Sequence, residues 1–306
     1  MRAFAVALAL AFCVVSIPVT ALDLDRSNSD YWTYDMSMIM DGIEVIGSLT
    51  LTVVDEDTLT IGSDTYAVDV IQYSGGISGS GVIDGMNTSM SVVYSGFTYE
   101  LKDGLATVKD DIYSWITTSQ SELAHRTETH YVTTSSPPIG SRLVPGVMSP
   151  GDSWSEIVFE TTTSTEWVEG MLTDTSTDAD EITYSFSIAS TEESLATDAG
   201  TFHCLKITVT DESDESYEIR WYCYEMGYYV KVADYESGGS VPSVVLELKE
   251  CKYDASSKVL ITMLVVVGAV ALAAVVTTII LLTRKNRIPQ QPQEPKSTEP
   301  PTPPVV

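Results

Sequence analysis

Asp174, Ser176, Asp178 and Asp180 alternate through the stretch DTSTDADE. Oxygen-bearing side chains at alternating positions are how calcium-binding loops present ligands, so calcium is the one cofactor this sequence suggests. The stretch lacks the glycine at the sixth loop position and has Ser185 where a bidentate glutamate would stand at the twelfth. A solvated acidic hairpin loop is the competing reading. The three histidines, His125, His130 and His203, offer less. HRTETH is not the HExxH zinc motif, and on a strand His125 and His130 point to opposite faces, Glu128 sharing the face of His130. GGISGSG (75–81) departs from the G-x-S-x-G nucleophile pattern and reads as a flexible hairpin turn. No catalytic residue is assigned, and a secreted hydrolase is the least supported of the functions considered.

Cysteines carry the other candidate chemistry. Cys204, Cys223 and Cys251 remain after removal of an N-terminal leader, and an oxidising compartment favours one bridge and one odd thiol. DESDE (211–215) forms the tip of a hairpin joining 201–210 to 216–224, which sets Cys204 beside Cys223. Strand alternation opposes that pairing unless a bulge intervenes: Leu205, Ile207 and Val209 form the apolar set of one strand and Ile219, Trp221 and Cys223 that of the other, so Cys204 faces the opposite side from Cys223. Cys204–Cys223 and its rival Cys223–Cys251 both stay open, the first slightly preferred. Asn87-Thr88-Ser89 is an acceptor sequon for N-glycosylation.

These residues need a scaffold, and its location is set by the chain ends. Residues 1–21 have one arginine, an apolar stretch, Pro18 and small residues at Val19 and Ala21, the pattern of a cleaved signal peptide. Residues 259–283 contain no charge, and 25 helical residues span roughly 37 Å against a hydrocarbon core of about 30 Å. That predicts a C-terminal transmembrane helix. Arg284, Lys285 and Arg287 follow it and place the tail inside by the positive-inside tendency. The expected topology is a type I single-pass protein of the cell membrane, with 22–258 outside and the proline-rich tail 284–306 in the cytoplasm. The bilayer is then a partner through 259–283.

Of the 43 acidic residues 41 lie in 22–258, against 11 of the 16 basic ones, leaving that part near −30. Such a surface repels phosphate backbones, so nucleic acid is excluded as a partner.

The outer part reads as all-β. YWTYDMSMIM, IEVIGSLTLTVV, TYAVDVIQY, EITYSFSIA, TFHCLKITVT, SYEIRWYC, YYVKVADY and SVVLELKECKY are rich in Tyr, Val, Ile and Thr, between Gly, Asp and Ser clusters. Successive hairpins of this kind imply antiparallel sheet. A Pro/Gly-rich connector at 135–153 separates a first half, 22–134, from a second, 154–258. Asp30-Tyr31-Trp32 and Asp152-Ser153-Trp154 open the halves, and TYAVDVI (65–71) matches TFHCLKI (201–207), which suggests a duplication with an insert near 161–181 in the second copy. Trp32 and Trp154 should then be equivalently buried, as should Tyr66 and Phe202.

PPIGSRLVPGVMSPGDSWS, ATDAGTFHCLKI and WYCYEMGYYVKV resemble signature segments of secreted LolA-like or TapB-like domains, over about 135–253. That family shows a P…GDxW turn, an AGTFxCxK strand and a WYxxGxGxVK hairpin; here Met226-Gly227-Tyr228-Tyr229 departs from the last. The resemblance implies a curved antiparallel half-barrel of an envelope protein, some relatives of which shield lipid tails in the concave face. The leading functional expectation is a non-enzymatic module that binds a ligand or partner protein. The alternative is a membrane-tethered lipid or lipoprotein binder using the concavity.

Overall fold

The computed structural model describes residues 26–120 and 123–253. The predicted leader (1–21), the span (259–283), its flanking Arg284, Lys285 and Arg287, and the tail lie outside them. Among the described residues, no helix is long and apolar enough to cross a membrane.

The described chain is all-β, as the residue composition implies. Its thirteen strands are β1 (Tyr31–Met40), β2 (Ile43–Ile61), β3 (Asp64–Ile83), β4 (Met86–Leu101), β5 (Thr107–Gln120), β6 (Leu123–Ile139), β7 (Ser153–Val168), β8 (Met171–Ile188), β9 (Glu193–Thr197), β10 (Gly200–Asp211), β11 (Tyr217–Cys223), β12 (Tyr228–Tyr235) and β13 (Val244–Lys252). They form one curved antiparallel sheet in the order β11-β12-β13-β1-β2-β3-β4-β5-β6-β7-β8-β10-β9. β11 also pairs with β10, Leu205 opposite Tyr222 through Thr210 opposite Tyr217, so the sheet meets itself and every strand but β9 lies in a closed ring. β9 carries on the pairing along β10 beyond the point where β8 stops: Ile188 opposes Ile207, and Glu193 opposes Cys204. Closure leaves few unpaired edges, the liability of a large open sheet.

Two-residue turns join several of the long strands. Asp41-Gly42, Asp84-Gly85 and Glu169-Gly170 all have positive φ at both residues, the backbone of a type I′ hairpin turn. GGISGSG is a different matter. The stretch read as a hairpin turn lies within β3, and its glycines meet neighbouring strands at close range. A Cβ on Gly75 would lie 2.3 Å from the Ser48 carbonyl oxygen, and one on Gly79 would lie 2.2 Å from that of Glu44. Gly47 in β2 and Gly96 in β4 are equally tight. Glycines mid-strand let the sheet bend sharply enough to close. Gly96→Ala is accordingly expected to lower stability by about 1–3 kcal/mol, because its Cβ would sit 2.2 Å from the backbone oxygen of Asp111. Thermal melts against Ser95→Ala as control check this; equal melting temperatures would refute it.

The interior follows from period-two alternation. Trp32, Tyr34 and Met36 of β1 and Leu49, Leu51 and Val53 of β2 point inward and join Phe186, Ile207, Tyr222 and Leu248 in one apolar core. The connector is more structured than its prolines suggested. β6 runs on through Pro137 and Pro138 to Ile139, its register against β5 slipping between Lys109–Thr134 and Thr107–Ile139. A strand end with a broken register can hold prolines, since the ladder there loses hydrogen bonds anyway. Leu143 then plugs the core, and the Glu156 carboxylate accepts from the backbone N–H groups of Gly140, Ser141 and Arg142.

Candidate functional site

A cavity of about 240 Å³ lies inside the ring. One wall comes from β1–β5, with Tyr34, Tyr73, Glu100 and Asp110; the facing wall comes from β11–β13, with Glu218, Arg220, Tyr228, Tyr229 and Asp234. Leu49, Leu51, Val232 and Leu246 supply apolar patches between them.

Each polar group is held by neighbours. Fully buried Arg26 anchors one end: its Nε donates to Asp69 Oδ2 at 2.8 Å, one terminal nitrogen donates to Glu100, and the other donates to the Leu101 and Gly104 carbonyls. The Tyr228 hydroxyl donates to the second Glu100 oxygen at 2.5 Å. Trp32 stacks on the Tyr228 ring, centroids 4.8 Å apart, and donates from Nε1 to the Met226 carbonyl at 3.0 Å. Tyr34 donates to the Tyr229 carbonyl at 2.7 Å. The Met226–Tyr229 segment, where the chain departs from the LolA-like pattern, is thus what β1 grips.

Alternation puts Glu218 and Arg220 on one face of β11. They pair there bidentately, Nε to Oε1 at 2.6 Å and Nη2 to Oε2 at 2.8 Å, with the guanidinium over the Tyr229 ring. Burial raises the remaining carboxyls. Asp110 is pushed up to about 6, against a hydrogen bond from Thr98 that pulls the other way. Asp234 is pushed up to about 7 by burial and then by Glu218. Asp69 rises to about 6 because its desolvation outweighs its ion pair with Arg26. Burial also raises Tyr34, Tyr73 and Tyr228, so these phenols stay protonated at neutral pH.

The residues singled out from sequence lie elsewhere. Asp174, Ser176, Asp178 and Asp180 are strand residues of β8, opposite Glu166, Ser164, Thr162 and Glu160 of β7, and do not form a loop. Alternate residues on a strand stand about 6–7 Å apart, whereas calcium needs oxygens converging at about 2.3–2.6 Å. Among the described residues, no group of three or more His, Cys, Asp or Glu is placed to hold a metal. The region 161–181, read as an insert, is the paired extension of β7 and β8.

Cys204, Cys223 and Cys251 are unbridged in this structure. Cys204 and Cys223 nevertheless lie near each other across β10 and β11, and interaction with Cys223, together with burial, raises Cys204. The alternation conflict resolves by loss of strict period: Cys204 and Leu205 are both buried, as are Trp221, Tyr222 and Cys223, with a register shift between Trp221 and Tyr222. Cys251 is half-buried on β13 opposite Trp32.

His130 is hydrogen-bonded to Asp111 at 2.8 Å and stacked on Tyr113 at 3.9 Å. Burial works against the Asp111 charge, but hydrogen bonds from His130 and Lys109 hold it below the usual carboxylate range. Asn87 is exposed near the start of β4, beyond the Asp84-Gly85 turn, and is accessible for glycosylation.

Sequence reasoning missed Arg26, Glu100, Asp110, Glu218, Arg220 and Asp234. A usable signal was present: in a stretch this acidic, YEIRWYC sets opposite charges two apart on one strand face among apolar residues.

No family model, curated protein or solved structure matches the chain.

Proposed function

We propose that residues 22–258 form the extracytoplasmic, non-enzymatic ligand-binding module of a single-pass membrane protein, tethered by 259–283, and that a small polar ligand occupies the cavity inside the ring. The observation that carries this reading is a cavity lined from facing walls by four tyrosines, four carboxylates and one guanidinium. Binding sites combine an apolar body with a few placed polar groups, and this lining has both. The LolA-like resemblance supports the concave face as the binding side. The lining argues against lipid tails, which need a continuous apolar wall: Glu100, Asp110, Glu218 and Asp234 interrupt it.

The reading includes a duplication. β1–β6 would be one copy and β7–β13 the other, with Trp32 and Trp154 each the second residue of a first strand. The cavity then lies between the copies, lined by β1–β5 of one and β11–β13 of the other.

The test is a thermal-shift screen of the full-length protein in detergent against small cations, anions, sugars and fatty acids. A small polar compound should stabilise it, and Thr98→Trp, which fills the cavity, should abolish the shift. Stabilisation by fatty acids alone would move the function to lipid carriage. A shift that survives Thr98→Trp would place the ligand elsewhere.

A further inference from the structure

We propose that the cavity's occupant is a small organic cation, a protonated aliphatic amine; this rests on the cavity being the binding site. The argument begins with which charges are already matched. Both oxygens of Glu100 are taken, one by Arg26 and one by Tyr228. Both oxygens of Glu218 are taken by Arg220, whose remaining terminal nitrogen reaches the Tyr229 hydroxyl at 3.4 Å. Two lining carboxylates are left, Asp110 on β5 and Asp234 on β12, one on each facing wall. Thr98 donates to Asp110, and neither aspartate has a cationic hydrogen-bond partner among the described residues.

The rest of the lining suits the same ligand. Tyr34, Tyr73, Tyr228 and Tyr229 offer ring surface, whose negative faces attract cations and whose area shelters a hydrocarbon body. Leu49, Leu51, Val232 and Leu246 extend that apolar surface. An anionic ligand would meet two unpaired carboxylates and a guanidinium already satisfied by Glu218. A metal ion would need ligand oxygens gathered on one point, and no such group occurs among the described residues. An ammonium group donates in three directions and needs no such convergence.

The titration of the two aspartates gives the pH dependence. Asp110 faces Tyr73, Thr98, Glu100, Glu160 and Arg220; Asp234 faces Glu218 and Arg220 on β11 and the uncharged Val244 on β13. Burial pushes Asp110 up to about 6 and Asp234 up to about 7. An amine binds their ionised forms, so affinity is full about one pH unit above the Asp234 value and falls as the pH drops through both. Bound amine would in turn draw both pKa values down.

The experiment is calorimetric titration of the full-length protein in detergent with butylamine and 1,4-diaminobutane, with butyrate and butanol as matched probes, at pH 8 and pH 5.5. The amines should bind at pH 8 and weaken at least about tenfold at pH 5.5. Asp110→Asn and Asp234→Asn should each weaken binding by about tenfold or more at pH 8, the range of a charge-assisted hydrogen bond, and flatten the pH dependence. Two separate variants cover the case in which one fails to fold. Asp57→Asn, at an exposed position of β2, should change nothing. Binding of butyrate or butanol in preference to the amines, abolished by Thr98→Trp, would overturn the cation and keep the cavity. Amine binding insensitive to Thr98→Trp, or weakened equally by Asp57→Asn, would mean condensation on the acidic surface and would overturn both. Absence of amine binding would overturn the cation alone.

Discussion

Arg26→Met should lower the stability of the described domain by about 3–5 kcal/mol, among the largest losses available to a single substitution. Arg26 is 1 % exposed and joins β3, through Asp69, to the end of β4, through Glu100 and the Leu101 carbonyl, and to the Gly104 carbonyl in the turn after it. Its removal leaves two carboxylates inside the protein with no cation. Asp69 would fare worse, because its charge is already disfavoured by burial with Arg26 in place, and its Oδ1 has no hydrogen-bond partner. The loss should shrink when the carboxylates are neutralised as well. Arg26→Met with Asp69→Asn and Glu100→Gln is expected to recover a substantial part of it, since replacing an entire buried ionic group is far milder than breaking it. Denaturant titration of both variants decides the matter. A single variant within about 0.5 kcal/mol of the parent would mean that water reaches the site and screens the charges.

How far this architecture could be read from sequence depended on whether a residue's partner was local. β1 coincides with YWTYDMSMIM, and the β10–β11 hairpin turns near DESDE as read, because alternation and turn residues act over a few positions. β4 to β7 were not singled out. Their runs, such as TVKDDIYSWITTSQ and SWSEIVFETTTSTEWV, carry Ser, Thr and acids on both faces, which hides the period-two signal. The Asp-Gly pairs at 41–42 and 84–85 marked the hairpin turns and went unread, while the glycine-rich stretch 75–81 marked a bend within a strand. Ring closure and the cavity were beyond reach for a different reason. Tyr228 and Glu100, or Arg220 and Asp110, come together only across the interior of the ring, and no local pattern encodes that. The odd feature visible beforehand was arginine amid apolar residues in an acidic domain. It marked the site without saying which acids would face it.

Trp32→Ala and Trp154→Ala should separate clearly. Strict equivalence of the two halves would make them alike, yet Trp32 is 0 % exposed and Trp154 is only partly buried. Trp32 stacks on Tyr228, donates to the Met226 carbonyl and is flanked by Leu51 on β2 and Cys251 on β13, so truncation removes a large apolar surface and orphans a buried carbonyl. The expected loss is about 3–5 kcal/mol. Trp154 stacks on Phe186 at 5.0 Å, lies under the Arg142 guanidinium, and donates to Glu156, but one side of it reaches solvent. Its partners also survive without it, because Glu156 keeps the backbone N–H groups of Gly140 and Ser141. A loss of about 1–2 kcal/mol is expected there. The two variants should differ in a second respect. Trp32 positions Tyr228, and through it Glu100, so Trp32→Ala should weaken any ligand of the cavity along with the fold, whereas Trp154 touches no cavity residue and should leave affinity unchanged. Denaturation curves and ligand titrations on both variants measure these effects side by side. Equal losses of stability would restore the symmetric picture, and loss of affinity in Trp154→Ala would mean that the ligand reaches the other end of the ring.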